Sequence, residues 1–354
     1  MSQPTISSVA ALAGVSIATV SRCVNDPERV HARTRARVQK AIAELGYSPN
    51  ALAQNFRRGR TNMIMVVMPH VGCAFLSEVL AGVREGIGGR YSIVIAEAKP
   101  RSYEEVGAML VSRQVDGLIL LATLPPFGAD LDDFNRQRRV PVVLGCEPIS
   151  DELETLPSVH IDNFEAAYEA TRHLIDLGHT RVAFVSGPTG SLVTRDREQG
   201  FRAAMDESGL GVPDDHVRAV PLSTDGGAAA AGELLRCESP PTAIFCANDE
   251  MALGAMHALR RAGLRIPEDV SVMGFDDTRY AAIASPPLST VAQPAQEIGR
   301  RVAARMIGEI EGTAVDGPRI ELLRHRLVIR QSTGPCREAG VIGIRSRRRP
   351  PALG

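Results

Sequence analysis

The sequence predicts a small all-α head followed by a larger α/β body of two lobes, whose parallel sheets are covered by helices. First, residues 1–60 carry apolar side chains at helical spacing. Second, from Thr61 onward, short runs rich in Val, Ile and Leu alternate with helical stretches, as in parallel sheets buried on both faces. Third, this alternation restarts after Val159–Asp162, which indicates a second lobe built like the first.

The composition excludes several other classes of protein. Of the 354 residues, 44% are hydrophobic and 23% are charged, which suffices for full-sized cores. The apolar runs fall far short of the ~20 residues of a membrane-spanning helix. Met1–Thr5 has neither the charged nor the apolar region of a secretion signal. The six cysteines lack CxxC spacing, so we expect no disulfide framework and no metal site, but reduced, mostly buried thiols in a cytoplasmic protein.

The net charge of −1 conceals a strong asymmetry along the chain. Residues 1–62 contain nine Lys and Arg against three acidic residues, a net charge of +6, and residues 334–354 carry a net charge of +4. The rest of the chain therefore carries −11. A basic head on an acidic body indicates that the head binds a polyanion and the body does not.

The head is expected to contain three helices, over about residues 6–13, 17–24 and 32–45. Thr5 or Ser7 is expected to cap the first helix and Ser16 the second. Gly14 is expected to end the first helix and Gly46 the third. Residues 50–56 could add one or two turns, which are marginal because so short a helix is unstable in water on its own.

Residues Ala10–Asn25 have the spacing of a helix-turn-helix, with a small residue in the first helix, glycine in the turn and an apolar residue before Ser16. The second helix then presents hydroxyls, which bind phosphate, and Arg22, the usual bidentate partner of guanine. Many helix pairs of this kind are purely structural. The position of this pair inside the +6 segment favours DNA binding.

In the body, polar side chains follow several expected strands. Arg197 begins an expected helix, Asn248 follows a strand over 243–247, and Asp276 follows a strand that begins at Val270. Open α/β sheets bind ligands at the carboxyl ends of their strands, and Arg, Asn and Asp suit the hydroxyls of a polyhydroxylated ligand. The spacing alone equally allows helix caps and surface ion pairs. After a long helix over about 295–311, one last strand is expected over 321–329.

No catalytic residue, cofactor or metal site is predicted in the body. The sequence contains no GxxxxGK[ST], GxSxG or HExxH motif, and no GxGxxG that opens a helix. His173 and His179 are six residues apart, a poor metal spacing, and we interpret them as polar residues at a helix end. An enzyme is therefore disfavoured.

The helix-turn-helix and its flanks contain a specific set of residues: Thr5-Ile6, Ala13-Gly14-Val15-Ser16, Thr19-Val20-Ser21-Arg22, Asn25, Thr34-Arg35 and Leu45-Gly46-Tyr47-Ser48-Pro49-Asn50. With these residues the head resembles the LacI/GalR family of bacterial transcription regulators, and the resemblance continues to Ser332-Thr333. It implies a helix-turn-helix DNA-binding domain over 1–49, a hinge helix over 50–60, and an effector-binding and dimerisation body over 61–333 that is like periplasmic sugar-binding proteins. Residues 334–354 would be a basic, disordered tail.

The resemblance also implies DNA contacts residue by residue. Base edges would be read by Ile17, Ala18 and Arg22, and phosphates would be held by Thr5, Ser16, Thr19, Ser21, Asn25 and Thr34. Because Ile17 and Ala18 offer only apolar contact, Arg22 would carry most of the hydrogen-bonded readout. Hinge contacts would come from Asn50, Ala53, Phe56 and Arg57.

Two residues of this region depart from the family pattern. Ser8 replaces the usual Asp, which alters the cap of the first helix. Phe56 replaces the usual Leu, either as a wedge between base pairs in the minor groove or as an anchor of the hinge against the body.

In the body, the resemblance implies effector contacts by Arg197, Asn248 and Asp276, with Phe75 in the loop beside the pocket. With Leu156-Pro-Ser-Val-His-Ile-Asp-Asn163 and Ser285-Pro-Pro-Leu288, the body is most similar to the cytidine repressor branch of the family. Leu222 stands where some members stack an aromatic ring on the ligand, which favours a sugar over a nucleoside. We expect a homodimeric repressor that binds a pseudopalindromic operator under the control of a small polyhydroxylated effector, without membrane contact. The alternative is a transporter-type solute-binding protein.

Overall fold

The computed structural model describes residues 4–47, 60–98, 114–121, 140–147, 156–188, 190–313 and 317–337. The expected hinge residues Asn50, Ala53, Phe56 and Arg57 and most of the expected tail lie outside these ranges. The alternation of strands and helices in the body also predicts helices over 103–113 and 131–138, which lie outside them too. The chain forms two compact units, Met1–Asn62 and Met63–Gly354, called the head and the body below.

The head is built from the helices α1 Ile6–Ala13, α2 Ile17–Asn25 and α3 Ala32–Leu45. Thr5, rather than Ser7, caps α1. Its Oγ1 accepts from the Ser8 N–H at 3.3 Å, and the Ser8 Oγ accepts from the Thr5 N–H at 2.8 Å. Ser8 thus completes a reciprocal cap in place of the family's usual Asp. Helix α2 begins after Ser16, whose Oγ accepts from the Thr19 N–H at 3.1 Å.

The turn between α1 and α2 depends on Gly14 and on Arg37 of α3. Gly14 has a φ of 61°, which favours glycine. The Arg37 guanidinium donates to the carbonyl oxygens of Ala13 at 2.5 Å and Gly14 at 3.2 Å, where a cation also complements the dipole of α1. The buried core of the head consists of Val9, Ala10, Ala13, Val20, Cys23, Val38 and Ala41.

The described part of the body contains two six-stranded sheets. The strands of the first are β1 Met63–Met68, β2 Ser92–Glu97, β3 Gly117–Leu120, β4 Val142–Gly145, β5 Ser158–Ile161 and β11 Ile320–Leu323, in the order β11-β5-β4-β3-β1-β2. The strands of the second are β6 Val182–Ser186, β7 Val217–Ala219, β8 Ala243–Cys246, β9 Ser271–Asp276, β10 Ser289–Ala292 and β12 Arg326–Val328, in the order β12-β10-β9-β8-β6-β7. All pairs are parallel except β10 with β12.

Helices pack on both sheets and define two lobes. The first lobe contains the first sheet with α4 Ala74–Ile87 and α9 Ala295–Glu311. The second lobe contains the second sheet with α5 Asn163–Asp176, α6 Leu192–Glu207, α7 Thr224–Leu234 and α8 Asp249–Arg261. Helix α4 packs on α9, α5 on α6, and α7 on α8. The expected fold class is confirmed.

Two expected elements are wrong in their bounds. Helix α6 begins at Leu192 instead of Arg197, because Ser191 caps it by accepting from the Thr194 N–H at 3.4 Å. The last strand expected over 321–329 is two strands, β11 and β12, in different sheets. The chain crosses between the lobes at residues 324–325, where the His325 Nε2 lies 3.0 Å from the Glu169 Oε2. The residues before and after this crossing are both strand-like in composition, so the sequence gives no sign that the chain changes lobes here.

All six cysteines are free thiols. Cys23, Cys146 and Cys246 are buried, whereas Cys73, Cys237 and Cys336 are half-buried, so half of the thiols are buried rather than most of them.

Among the described residues, no single helix is long and apolar enough to cross a membrane. Helix α1 and most of α2 reach that length and hydropathy only when taken together, as a pair bent by 104°.

The close packing of α4 on α9 predicts a steric penalty at Gly299. An added Cβ atom there would lie 2.1 Å from the Val79 carbonyl oxygen. Gly299→Ala must therefore separate the two helices, and we expect the free energy of unfolding to fall by about 1–3 kcal/mol. Gly232→Ala in α7 is the matched control, because no atom lies within 4 Å of its added Cβ. It should raise the free energy of unfolding by about 0.5–1 kcal/mol, since alanine favours helix. Denaturant titration measures both, and equal effects at the two positions would contradict this packing.

Candidate functional site

The exposed face of α2 is the first candidate site. The three residues that are expected to read bases are all exposed: Ile17, Ala18 and Arg22. Thr19 and Ser21 are half-buried beside them, whereas Val20 is fully buried in the core of the head. The fold of the head thus separates the residues expected to contact DNA from the core residues of the same helix.

Of the six residues expected to hold phosphates, Thr5, Ser16, Thr19 and Thr34 lie at helix N-termini, whereas Ser21 lies inside α2 and Asn25 is its last residue. Thr5 and Ser16 are the caps of α1 and α2, and the Ser16 and Thr19 hydroxyl oxygens lie 2.8 Å apart. Thr34 lies in the first turn of α3, and the side chain of Asn25 is outside the described part of the chain. Helix N-termini attract phosphate through their free N–H groups and the positive end of the helix dipole.

The second candidate site lies in the body, where Arg197 of α6 is only 5% exposed. Its Nε donates to the Asn163 Oδ1 at 2.9 Å, and its Nη1 donates to the Ala247 carbonyl oxygen at 2.6 Å. Its Cζ lies 3.6 Å from the centroid of the Phe275 ring, within the range of a cation–π contact. The guanidinium is therefore held in one orientation.

Asp276, the last residue of β9, completes this cluster. Its Oδ1 lies 4.0 Å from the Arg197 Nη1 and accepts from the Gln293 Nε2 at 2.7 Å. Its φ of 114° lies in a region that favours glycine. Burial raises the pKa of Asp276 to about 8; Arg197 opposes this shift and Asp249 adds to it.

Asn248 follows β8 by two residues and is the N-cap of α8. Its Oδ1 accepts from the Met251 N–H at 2.8 Å, and the residue is only 7% exposed. The sequence left open whether this residue caps a helix or contacts a ligand. The structure shows the cap, and the effector contact stays a prediction.

Phe75, in the first turn of α4, lines a cavity of about 490 Å³ together with Asp276 and Gln293. It is 8% exposed and packs on the apolar core of the first lobe. The cavity has walls from both lobes. The structure therefore brings Arg197 next to Asp276, and Asp276 to the same cavity as Phe75.

Asn163, Asp249 and Gln293 belong to this site but were not among the expected effector contacts. Asn163 accepts from Arg197, and the buried Gln293 Oε1 has no hydrogen-bond partner within the described ranges. The fully buried Asp249 carboxylate accepts from the Thr278 N–H at 2.7 Å and from the Thr290 Oγ1 at 2.6 Å. All three residues follow the carboxyl end of a strand, which is the signal that points to Asp276.

His179 is a buried polar residue just after the end of α5, where its backbone N–H donates to the Leu174 carbonyl oxygen at 3.2 Å. Its Nδ1 lies 2.9 Å from the Thr242 Oγ1, and its Nε2 lies 3.0 Å from the Ser271 Oγ and 3.1 Å from the Gly334 carbonyl oxygen. Burial lowers the pKa of His179. Gly334, assigned to the tail by sequence, is thus hydrogen-bonded to the second lobe.

The described residues contain no group of three or more His, Cys, Asp or Glu that could hold a metal ion.

A helix-turn-helix head and a two-lobed body with a polar cavity define the class of ligand-responsive DNA-binding regulators. Residues 5–50 match the family described as bacterial regulatory proteins, lacI family. Residues 171–333 match the periplasmic binding protein-like domain. The HTH-type transcriptional repressor CytR of Escherichia coli (strain K12) is 35% identical over 332 residues, which cover 93% of this chain and 96% of CytR.

Solved structures agree with these matches. The transcriptional regulator CelR, solved as a complex with cellobiose, is 34% identical with a TM-score of 0.71, over 93% of this chain and 99% of that chain. The Lac repressor dimer bound to operator and the anti-inducer ONPF is 30% identical with a TM-score of 0.82, over 94% of this chain and 100% of that chain. The chain belongs to the lacI family of bacterial regulatory proteins. It is a LacI-type transcriptional regulator and not a transporter's solute-binding protein.

The environment of Asp276 predicts a pH-dependent stability. Its pKa rises from 3.8 to about 8 on folding, so the folded protein retains a proton that the unfolded chain releases. The resulting stabilisation is complete below about pH 4 and is lost as the pH rises through about 8. Asp276→Asn should flatten the decline in the free energy of unfolding between these pH values. Asp225→Asn removes an exposed carboxylate from the first turn of α7 and serves as the control. An Asp276→Asn slope equal to that of the wild type would contradict the assignment.

Proposed function

We propose that this protein is a homodimeric repressor that binds a pseudopalindromic operator and is controlled by a small polyhydroxylated effector. It acts in the cytoplasm, where the operator DNA is, and not as an enzyme. The observation that carries the proposal is the pairing of an exposed DNA-reading helix face in the head with a buried Arg197–Asp276 cluster beside a cavity in the body.

The head supports operator binding through its charge and through the face of α2. Residues 1–62 carry a net charge of +6, which attracts the phosphate backbone without regard to sequence. Specific readout then falls to Arg22, with apolar contacts from Ile17 and Ala18. One such head reads one half-site, so a symmetric operator requires two copies of the chain. The Lac repressor relative is a dimer on its operator.

The cavity supports a neutral polyhydroxylated effector, with a sugar favoured over a nucleoside. Arg197, Asp276 and Gln293 combine donors and acceptors within a few ångströms, which suits adjacent hydroxyl groups. Leu222, 41% exposed beside Gly187, offers no ring on which a base could stack. The CelR relative was solved with cellobiose. The resemblance of the body to the cytidine repressor branch of the family makes a nucleoside the second choice.

Control of DNA binding requires that the effector favour one arrangement of the lobes. We place the link in the hinge, residues 50–60, where Asn50, Ala53 and Arg57 would contact DNA and Phe56 would wedge into the minor groove. So short a helix forms only with a partner, so paired hinges would fold on the operator and separate when the lobes move.

Electrophoretic mobility shift with DNA from upstream of the protein's own gene tests the proposal. The protein should retard this DNA at a concentration at which it does not retard a scrambled fragment. A panel of sugars and nucleosides should then change the shift. Equal retardation of both fragments would contradict operator recognition.

Arg22 should read one base pair in each half-site. Arg22→Ala removes the bidentate donor, so binding should weaken by about 1–3 kcal/mol per half-site and specificity should relax at one position. Arg33→Ala removes an exposed cation from α3 as the control, and any loss there should be the same for all sequences. Anisotropy titrations with a set of base-substituted operators measure both. Unchanged discrimination in Arg22→Ala would refute its role.

Arg197 and Asp276 should be needed for the effector and not for the operator. Arg197→Ala and Asp276→Ala should keep operator binding but lose the response to ligand. An effector at about 100 times its Kd should stabilise the wild type by ~2.7 kcal/mol and these variants hardly at all. Arg195→Ala, on the same helix but bonded to Asp196 at the surface, should respond like the wild type. Normal effector affinity by calorimetry in both test variants would show that the pocket is misplaced.

A further inference from the structure

Helix α4 begins beside the cavity without an N-cap from its own segment. The residue before it, Cys73, makes no side-chain hydrogen bond to the first turn, and that turn contains no acidic residue. The first N–H groups of a helix have no partner within the helix, and a Ser, Thr, Asp or Asn side chain usually accepts from one of them. The four helices of the second lobe follow this rule, with caps at Asp162, Ser191, Ser223 and Asn248.

The missing acceptor for α4 comes from the second lobe. The Glu250 Oε1 accepts from the Ala74 N–H at 3.3 Å, although the two residues are 176 positions apart. Glu250 lies in the first turn of α8, which Asn248 already caps. Its carboxylate therefore lies between the N-terminal ends of two helices, where both dipoles stabilise a negative charge.

The Cys73 thiol does not replace this acceptor. Burial raises the pKa of Cys73 to about 11; Asp276 and Glu250 add to this shift and the backbone N–H groups of Leu76 and Phe75 oppose it, so the thiol stays neutral near pH 7. A neutral thiol is a weak acceptor. The next residues of α4 include Phe75, which lines the cavity with Asp276. The order of this turn thus depends on an acid from the opposite lobe.

We propose that Glu250 is a positioning residue that caps α4 from the opposite lobe and fixes the turn that carries Phe75. A movement that separates the lobes removes the cap, so lobe separation and loosening of this turn occur together. The consequence for effector binding rests on the proposed function, whereas the cap itself does not.

Amide hydrogen exchange of the full-length protein tests the cap. Glu250→Ala should raise the exchange rates of residues 74–77 about five- to tenfold, a factor typical of losing an N-cap. Glu250→Gln should raise them less, because its amide oxygen can still accept from the Ala74 N–H. Asp225→Asn, in the first turn of α7 in the same lobe, should leave residues 74–77 unchanged. Unchanged exchange of this segment in Glu250→Ala would overturn the proposal.

A local cap supplies the second test. Cys73→Ser places a preferred capping hydroxyl before α4. In the Glu250→Ala background it should restore slow exchange to residues 74–77. If Glu250→Ala acted by general destabilisation, both lobes would exchange faster and Cys73→Ser would not restore the segment, which would overturn the proposal. A failure of the proposed function would instead appear in the operator titrations, with the exchange results unaffected.

Discussion

The buried guanidinium of Arg197 is the constraint on which the body site depends. A cation removed from water must find hydrogen-bond partners and a counter-charge. The Asn163 Oδ1 and the Ala247 carbonyl oxygen accept its hydrogen bonds, the Phe275 ring lies against it, and the Asp276 carboxyl group lies 4.0 Å from its Nη1. Asn163 follows β5 of the first sheet, whereas Ala247, Phe275 and Asp276 lie at the carboxyl ends of β8 and β9 in the second sheet, so strands of both sheets deliver these groups to one place. The same burial raises the pKa of Asp276 to about 8, so the protonation state of one group in the site contributes to the stability of the fold.

The head and the body differ in the kind of ligand that their surfaces suit. The head has a small core, a basic surface and an exposed helix face, which suit contact with a charged duplex. The body has two large cores and a cavity between lobes, which suit a small ligand. The hydrogen bond from the Ala74 N–H to Glu250 joins the lobes away from the crossing at residues 324–325, since one lobe completes the cap of a helix in the other. Such shared elements allow a ligand to bias one arrangement of the lobes over another.

Much of the fold was predictable from the sequence, because local sequence signals agree with the tertiary structure. Gly14 and Gly46 end helices where the sequence places stops, and the alternation of strands and helices gives both sheets. The start of α6 was misplaced because the cap at Ser191 is a weaker signal than the apolar spacing that follows it. The sequence predicted one last strand in place of β11 and β12, because the crossing of the chain between the lobes at residues 324–325 does not change the strand-like composition. Asn163 and Gln293 had the right position after a strand, but polar residues at strand ends are common, and only the buried guanidinium and carboxylate single these two out. Glu250 had no local signal, because its partner is 176 residues away.

The central claim is that the cavity of the body and the DNA-reading face of the head are thermodynamically linked. The direct measurement is the Kd for operator DNA with and without a ligand that thermal-shift screening shows to bind, together with the Kd for that ligand with and without operator. Both constants should change by the same factor, typically about 5–150-fold, because linkage is reciprocal. A ligand that needs Arg197 for binding and leaves the operator Kd unchanged would contradict it.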